Sequence, residues 1–173
     1  MPFLYHARPA RMRGETLYPL NALRTIDPDL YEQERRKYAG REELLELRIP
    51  VLDVLWNDAL HLSPIHPRRL AAAWRAAGLS SPAWDREFFE IPVERIDAGQ
   101  AVWFESGVLP LDDVVPFDPV AYRELREPPP RYREYLRAYK ARGRRPRPFA
   151  YLPHVLVAAS LDVAGLRVVP ARG

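Results

Sequence analysis

One stretch of the chain joins a strand-like run directly to its clearest helical pattern. Residues 60–63 (LHLS) are predicted as a strand, and the helix that follows has the sequence HPRRLAAAWRAAG. His66 and Pro67 mark its start, apolar residues recur along it at helical spacing, and Gly78 follows its last turn. In proteins that mix strands and helices, ligands commonly bind where a strand ends at the start of a helix. The stretch therefore predicts an amphipathic helix packed on a sheet, with a polar site beside it.

Strand-like and helical patterns mix irregularly along the rest of the chain. Strands are predicted at residues 3–7, 86–92, 101–105, 153–160 and 166–169, with the second and third expected to pair and the fourth expected to be central. Helices are predicted at residues 27–38, 41–47, 118–127 and 132–143, and residues 11–23 are predicted as loop. The absence of a regular strand–helix–strand repeat favours the α+β class. We predict one domain over residues 1–173, with a split, mixed or antiparallel sheet flanked by several helices.

The composition predicts a globular cytoplasmic domain. Of the 173 residues, 47% are hydrophobic and 28% are charged, which is not the composition of a disordered chain. No apolar run approaches the roughly 20 residues of a membrane helix, and the N-terminus has too short an apolar core for a signal peptide. The absence of cysteine excludes disulfides and thiol nucleophiles. A net charge of +3 does not indicate a generally polycationic surface for nucleic acid.

Residues 54–67 (VLWNDALHLSPIHP) concentrate the polar side chains of the candidate site. Its members are Trp56, Asn57, Asp58, His61, Ser63 and His66. Asn57 and Asp58 could hydrogen-bond a purine or a ribose while Trp56 stacks on the base, or they could form a turn with Trp56 in the core. Tyr18 and Asn21, in the segment TLYPLN, have the same two interpretations.

The histidines and one serine are the candidates for further chemistry. His6, His61 and His154 lie at or beside predicted strand ends, where an imidazole can relay protons or bind a metal at neutral pH. A metal needs three or four converging ligands, and His61 and His66 lack the spacing of a zinc-protease pair, so no metal is predicted. His66 could instead cap its helix. Ser63 lacks the Gly-x-Ser-x-Gly context of a serine nucleophile, and no glycine-rich phosphate loop is present.

The order of these pieces resembles the ADP-ribosyltransferase-like superfamily. Its members begin with a strand ending in His or Arg that contacts NAD+, and LYHAR, with His6 and Arg8, is similar to it. A second strand of the family ends in Ser or Thr before a helix, which LHLSP followed by HPRRLAAAW resembles through Ser63. The later segments FFEIPVERI, AVWF and HVLVAASLDVAGLRVV look like the closing sheet of the family.

One position departs from the pattern of that superfamily. Transferring members usually carry a glutamate where the late strand begins, and it orients the ribose hydroxyl at the reacting carbon; this chain has His154 there. An imidazole stabilises an oxocarbenium-like transition state less well than a carboxylate does. Three interpretations follow: another acid such as Glu90 or Glu105 serves, His154 acts as in phosphate-transferring relatives, or the domain only binds a nucleotide.

The resemblance implies a domain that binds NAD+ or a related adenine nucleotide such as ADP-ribose or ADP. ADP-ribosyl transfer or NAD+ cleavage would be the reaction, with His154 and His6 as catalytic residues. The nucleotide would contact a larger set of side chains: His6, Arg8, Tyr18, Asn21, Trp56, Asn57, Asp58, His61, Ser63 and His66. Two alternatives stay open. One is a nucleic-acid or protein-interaction domain that uses the basic loop at residues 142–147 (RGRRPR), and the other is a small metal-dependent hydrolase.

Overall fold

The computed structural model describes residues 1–172, which form antiparallel sheets and four α-helices. The strands are β1 (Phe3–Ala7), β2 (Thr16–Leu17), β3 (Arg48–Ile49), β4 (Val54–Leu55), β5 (Leu60–Leu62), β6 (Glu87–Pro92), β7 (Ala101–Phe104), β8 (Val114–Pro116), β9 (His154–Val157), β10 (Leu161–Asp162) and β11 (Val168–Pro170). The α-helices are α1 (Leu20–Ile26), α2 (Pro28–Arg35), α3 (Pro67–Ala76) and α4 (Pro130–Ala141). Short 3-10 helices lie at Arg36–Tyr38, Glu42–Leu45, Trp56–Asp58, Pro82–Asp85, Val93–Arg95 and Ala98–Gln100. The predicted α+β class is confirmed, and no helix in residues 1–172 has the length and apolarity to span a membrane.

Two antiparallel sheets form the body of the protein. One has the strand order β1-β6-β11 and the other has the order β5-β9-β7-β8, so β9 is a central strand, as its apolar sequence predicts. The sheets meet beyond the end of β5, where the Tyr5 N–H donates to the Ser63 carbonyl at 2.9 Å and the Ser63 N–H donates to the Tyr5 carbonyl at 2.8 Å. Strands β2 and β10 form a separate ladder, as do β3 and β4. The junction brings β1 next to the β5–β9 pair.

The side chains of β1 and β6 alternate between two hydrophobic clusters, because successive strand residues point to opposite faces of a sheet. Leu4, Phe89 and Ile91 lie in one cluster, whereas Tyr5 and Phe88 lie in the other. The second cluster also contains the buried faces of the two longest helices: Leu70, Ala71, Trp74, Tyr132, Tyr135 and Leu136. The two helices thus cover the face of the sheet that carries Tyr5 and Phe88.

Helix α3 begins and ends where its sequence predicts. The Arg68 N–H donates to His66 Nδ1 at 3.1 Å, so the His66 side chain caps the helix. Gly78 follows the last turn with a φ of 68°, a left-handed conformation that glycine adopts without the steric cost of a Cβ. The predicted start of α2 is also confirmed, because Asp27 Oδ1 accepts the Leu30 N–H at 3.1 Å.

Residues 11–23 were predicted as loop, and this prediction is wrong. They contain β2 and the first part of α1, which begins directly after Pro19. Leu23 of α1 packs against Leu30 and Tyr31 of α2 in a small hydrophobic cluster of its own. We call residues 20–45, which include α1, α2 and the two following 3-10 helices, the α1–α2 cap. Only part of the helix predicted at residues 41–47 forms, as the 3-10 turn Glu42–Leu45.

Two further predictions are wrong. Residues 118–127 do not form a helix: Asp118 Oδ1 accepts the N–H groups of Val120 and Ala121, but the Leu125 N–H donates to the Pro64 carbonyl at 2.9 Å and not to a preceding turn. Strands β6 and β7 do not pair either, because β6 pairs with β1 and β11 while β7 pairs with β8 and β9. The segment between β6 and β7, which is long for a hairpin, passes from one sheet to the other.

Candidate functional site

A cavity of about 1190 Å³ is lined by both sheets and by the α1–α2 cap. Three neighbouring strands each contribute one histidine to its wall: His6 from β1, His61 from β5 and His154 from β9. We call these the three cavity histidines. The wall also includes the segments 107–109 and 147–151. The cavity therefore collects side chains from positions spread over nearly the whole chain.

The strand register explains why two of these histidines face each other. In the antiparallel β5–β9 pair, His61 lies opposite Leu156, so His154, two residues away, points to the same face as His61. The centroids of the two imidazole rings are 6.5 Å apart. His6 reaches the same cavity from β1, which is joined to the end of β5 through Tyr5 and Ser63.

All three cavity histidines are neutral at physiological pH. Desolvation by burial, together with the positive charge of Lys37, lowers the pKa of His6 to about 3. Burial likewise lowers the pKa of His61 to about 4, and burial together with His61 lowers the pKa of His154 to about 3. Neutral imidazoles can donate and accept hydrogen bonds, but they do not supply positive charge to a bound anion.

The hydrogen bonds of these imidazoles leave nitrogen atoms free. His61 Nε2 lies 3.1 Å from the Trp56 carbonyl, which can only accept, so this nitrogen carries the proton. The Nδ1 atoms of His6 and His154 are buried and have no hydrogen-bond partner within the protein. Native proteins pair nearly all buried polar atoms, so two such nitrogens on the wall of one cavity indicate a site for a polar ligand.

The side chain of Asn57 is the most unusual polar group in the cavity wall. It is 1% exposed, and both its Oδ1 and its Nδ2 lack a hydrogen-bond partner within the protein. Its neighbour Trp56 packs edge-on against His61 at 4.3 Å and against Phe104 at 6.2 Å between ring centroids. An amide presents one acceptor and two donors side by side, which matches the edge of an adenine or a carboxamide.

Six of the ten residues predicted to contact a nucleotide line the cavity: His6, Tyr18, Trp56, Asn57, His61 and Ser63. The catalytic candidate His154 lines it as well. Ser63 is 4% exposed, and its hydroxyl donates to the Ile65 carbonyl at 3.1 Å and accepts the Ile65 N–H at 3.2 Å. The hydroxyl of Ser63 therefore holds the turn that leads into α3, and its hydrogen-bonding capacity is largely used within the fold.

The other four candidates for nucleotide contact do not line the cavity and have partners elsewhere in the fold. Arg8 pairs with Glu87 at 3.1 Å, and His66 caps α3. Asn21 Nδ2 donates to Asp58 Oδ1 at 2.7 Å, and the other oxygen of that carboxylate accepts the Leu55 N–H at 3.0 Å. The prediction that Arg8, Asn21, Asp58 and His66 contact the ligand is therefore not supported by where the structure places them.

The acids considered as replacements for a family glutamate also lie away from the cavity. Glu90 is 9% exposed and lies 3.5 Å from Arg167, while Glu105 accepts the Trp103 Nε1–H at 2.8 Å and pairs with Arg131. The carboxylates that do line the cavity come from the α1–α2 cap: Asp27, Asp29, Glu34 and Glu43. The acidic groups of the cavity thus belong to the cap, whereas the histidines belong to the strands.

Several cavity residues were not predicted from the sequence. The cations are Arg13, Lys37, Arg41, Arg86 and Arg147, and the additional aromatic residues include Tyr38, Phe88, Phe104, Phe149 and Tyr151. The sequence did not identify Arg86, because residues 86–92 were predicted to pair with residues 101–105. In the structure β6 pairs with β1 instead, which places Arg86 beside the end of the strand that carries His6. The sequence shows an arginine at the start of this strand, but it does not show which strand lies beside it.

The described part of the chain, residues 1–172, contains no group of three or more His, Cys, Asp or Glu side chains that could hold a metal ion. The three cavity histidines line one wall, but they do not form a ligand set. Comparison of the chain with protein-family models, with curated proteins and with solved structures found no match.

Proposed function

We propose that the cavity binds an adenine nucleotide such as NAD+, ADP-ribose or ADP. The observation that carries the proposal is the buried amide of Asn57, whose donor and acceptor are both unpartnered on a wall shared with Trp56 and the three cavity histidines. A buried amide without partners costs folding free energy, and a ligand that pairs with it removes this cost when it binds. Adenine and nicotinamide both offer the complementary donor and acceptor edge.

The cavity has the size and the lining that such a ligand needs. Its volume of about 1190 Å³ lies just above the range of roughly 300–1,000 Å³ that is usual for small-molecule sites, and its wall contains both aromatic rings and polar groups. The Nδ1 atoms of His6 and His154, which have no partner within the protein, would hydrogen-bond the ribose hydroxyls or phosphate oxygens of this ligand. If the domain is also an enzyme, ADP-ribosyl transfer or NAD+ cleavage is the reaction class, with His154 and His6 at the reacting ribose.

A thermal-shift panel tests the binding proposal. NAD+, ADP-ribose, ADP, ATP and nicotinamide are added at millimolar concentration to the wild type, to His6→Ala and to His66→Ala. Ligand at 100 times its Kd adds about 2.7 kcal/mol of stability, which for a chain of this length raises the Tm by roughly 5–11 °C.

His66→Ala is the matched control for this panel. It removes an imidazole that caps α3 outside the cavity, so it lowers the starting Tm but keeps the increment that the nucleotide adds. His6→Ala is expected to lose that increment. The absence of any shift in the wild type with all five compounds overturns the proposal.

A second candidate function is nucleic-acid binding by the loop at residues 142–147. Its four arginines, Arg142, Arg144, Arg145 and Arg147, are exposed, and none of them pairs with an acid within residues 1–172. Cations of this kind bind phosphates with an affinity that falls steeply as salt rises. Salt-dependent RNA or DNA binding that weakens in Arg144→Ala/Arg145→Ala would favour this function, whereas salt-tolerant nucleotide binding lost in His6→Ala would favour the first.

A further inference from the structure

Arg86 is one of five cations that line the cavity, and its guanidinium is held at the end of β1. It is only partly exposed, and its Nη2 donates to the Arg8 carbonyl at 3.0 Å, which fixes the guanidinium at the end of β1. No acid lies within ion-pair distance of it in residues 1–172. Of the other cations in the cavity wall, Lys37 pairs with Glu34, whereas Arg41, like Arg86, donates to a backbone carbonyl, that of Lys37. Arg86 is therefore an anchored cation whose charge is not balanced by a carboxylate.

The imidazole of His6 also lines the cavity, and His6 lies on β1, whose end holds the guanidinium of Arg86. The Nδ1 of His6 is buried without a hydrogen-bond partner in the protein. The Arg86 guanidinium donates to the carbonyl of Arg8, two residues after His6, and the positive charges of Lys37 and Arg86 both contribute to lowering the pKa of His6. Arg86, Lys37 and His6 thus all line the cavity, and Arg86 and His6 meet at the end of β1.

Positive charge that is partly removed from water is costly unless an anion balances it. A guanidinium with one N–H committed to a backbone carbonyl still has donors in a fixed planar fork, and this fork matches two oxygens of a phosphate group. A neutral imidazole beside it can donate one more hydrogen bond to the same group. The arrangement is suited to a phosphate or a diphosphate, and not to a neutral sugar or base.

We propose that Arg86, with Lys37 and His6, forms the phosphate-binding end of the cavity and takes the diphosphate of the nucleotide. The inference rests on the proposed function for the adenine half of the ligand, but the phosphate-binding end can be tested without that half. It assigns phosphate contact to Arg86, in place of the Arg8 that the sequence predicted.

Arg8 supplies a matched control, because the two arginines are neighbours and only one lines the cavity. Arg8 pairs with Glu87 at 3.1 Å on the exposed surface, so Arg8→Gln removes an arginine at almost the same place without changing the cavity. Arg86→Gln removes the guanidinium from the wall, and Arg86→Lys keeps the positive charge but loses the planar fork. Melting curves of all three variants show whether each one folds.

Isothermal titration calorimetry with adenosine, ADP and inorganic pyrophosphate tests the assignment. Arg86→Gln is expected to weaken ADP and pyrophosphate by about tenfold or more, to leave adenosine within about twofold of the wild type, and to be partly restored in Arg86→Lys. Arg8→Gln is expected to bind all three compounds like the wild type.

The outcomes separate the two proposals. If adenosine binds but Arg86→Gln holds ADP and pyrophosphate as tightly as the wild type, the phosphate assignment is wrong and the nucleotide proposal stands. If pyrophosphate binds through Arg86 but adenosine does not bind, the adenine assignment is wrong and the phosphate-binding end stands. If the wild type binds none of the three compounds, both proposals are overturned.

Discussion

Replacing Asn57 by Leu tests whether the buried amide is kept for a ligand or for the fold. Leucine has the same branched skeleton as asparagine but no polar atoms, so Asn57→Leu removes the unpaired donor and acceptor with little change in shape. A buried polar group without a partner costs about 1–3 kcal/mol. Because Asn57 is 1% exposed and neither polar atom is paired, we expect Asn57→Leu to stabilise the unliganded protein by about that amount. At about 3 °C per kcal/mol, the Tm should rise by roughly 3–9 °C.

For the same substitution at Asn21 we expect the opposite change in melting temperature. Asn21 Nδ2 donates to Asp58 Oδ1 at 2.7 Å, so Asn21→Leu removes a hydrogen bond to a carboxylate and should lower the Tm. Scanning calorimetry without ligand, followed by scans with saturating ADP, measures both effects. A lower Tm in Asn57→Leu would show that the amide stabilises the fold. A higher Tm with an undiminished ADP increment would show that the amide does not contact the nucleotide.

Two further predictions concern the cavity wall. Burial lowers the pKa values of the three cavity histidines below the unfolded value of about 6.5, so the unfolded chain takes up protons first as the pH falls. The contribution of these histidines to the free energy of unfolding is therefore fully present above about pH 6.5 and declines toward pH 3–4. At pH 5 the loss is about 2 kcal/mol per histidine. Urea titrations at pH 7.5 and 5 of the wild type and His154→Gln should show a smaller loss in the variant, and an equal loss would contradict the assignment. Gly107→Ala should destabilise the protein by far more than the roughly 1–2 kcal/mol of an alanine in the left-handed conformation, because the added Cβ would lie 1.9 Å from the Leu152 carbonyl oxygen. Gly143→Ala is the control, since its Cβ would meet no atom within 4 Å. Equal melting temperatures for the two variants would refute this prediction.

The sequence was informative wherever a signal lay within a few neighbouring residues. The cap of α3 by His66, the left-handed Gly78 after it and the Asp27 cap of α2 are local features, and all three are present in the structure. The helix expected after Asp118 fails for a non-local reason, since the Leu125 N–H bonds to Pro64, about sixty positions earlier in the chain. Propensity could identify the turn at Asp118 but not the partner that ends it.

The candidate site shows the same division between local and distant information. The cluster of polar residues from Trp56 to Ser63 was visible as a pattern, and most of it lines the cavity. Which of its members are free to bind depended on partners elsewhere: Asp58 is used by Asn21, whereas Asn57 has no partner. The choice between Arg8 and Arg86 likewise depended on the β1–β6 register, which places the two arginines together and gives only Arg8 an acid to pair with.

The charged groups of the cavity that would bind a nucleotide differ from those that would be needed to cleave NAD+. The strands and the Trp56–Asp58 turn supply a neutral imidazole and amide wall, and Arg86 with Lys37 supplies positive charge near His6. Neither kind of group stabilises the positive charge that develops on a ribose when its bond to nicotinamide breaks. The carboxylates that line the cavity belong to the α1–α2 cap, so under the proposed function nucleotide binding would require mainly strand residues, whereas cleavage of NAD+ would require an acid such as Glu34 or Glu43 to approach the ribose. If the cavity binds NAD+ as proposed, the position of the cap relative to the three cavity histidines would decide whether the dinucleotide is held or cleaved.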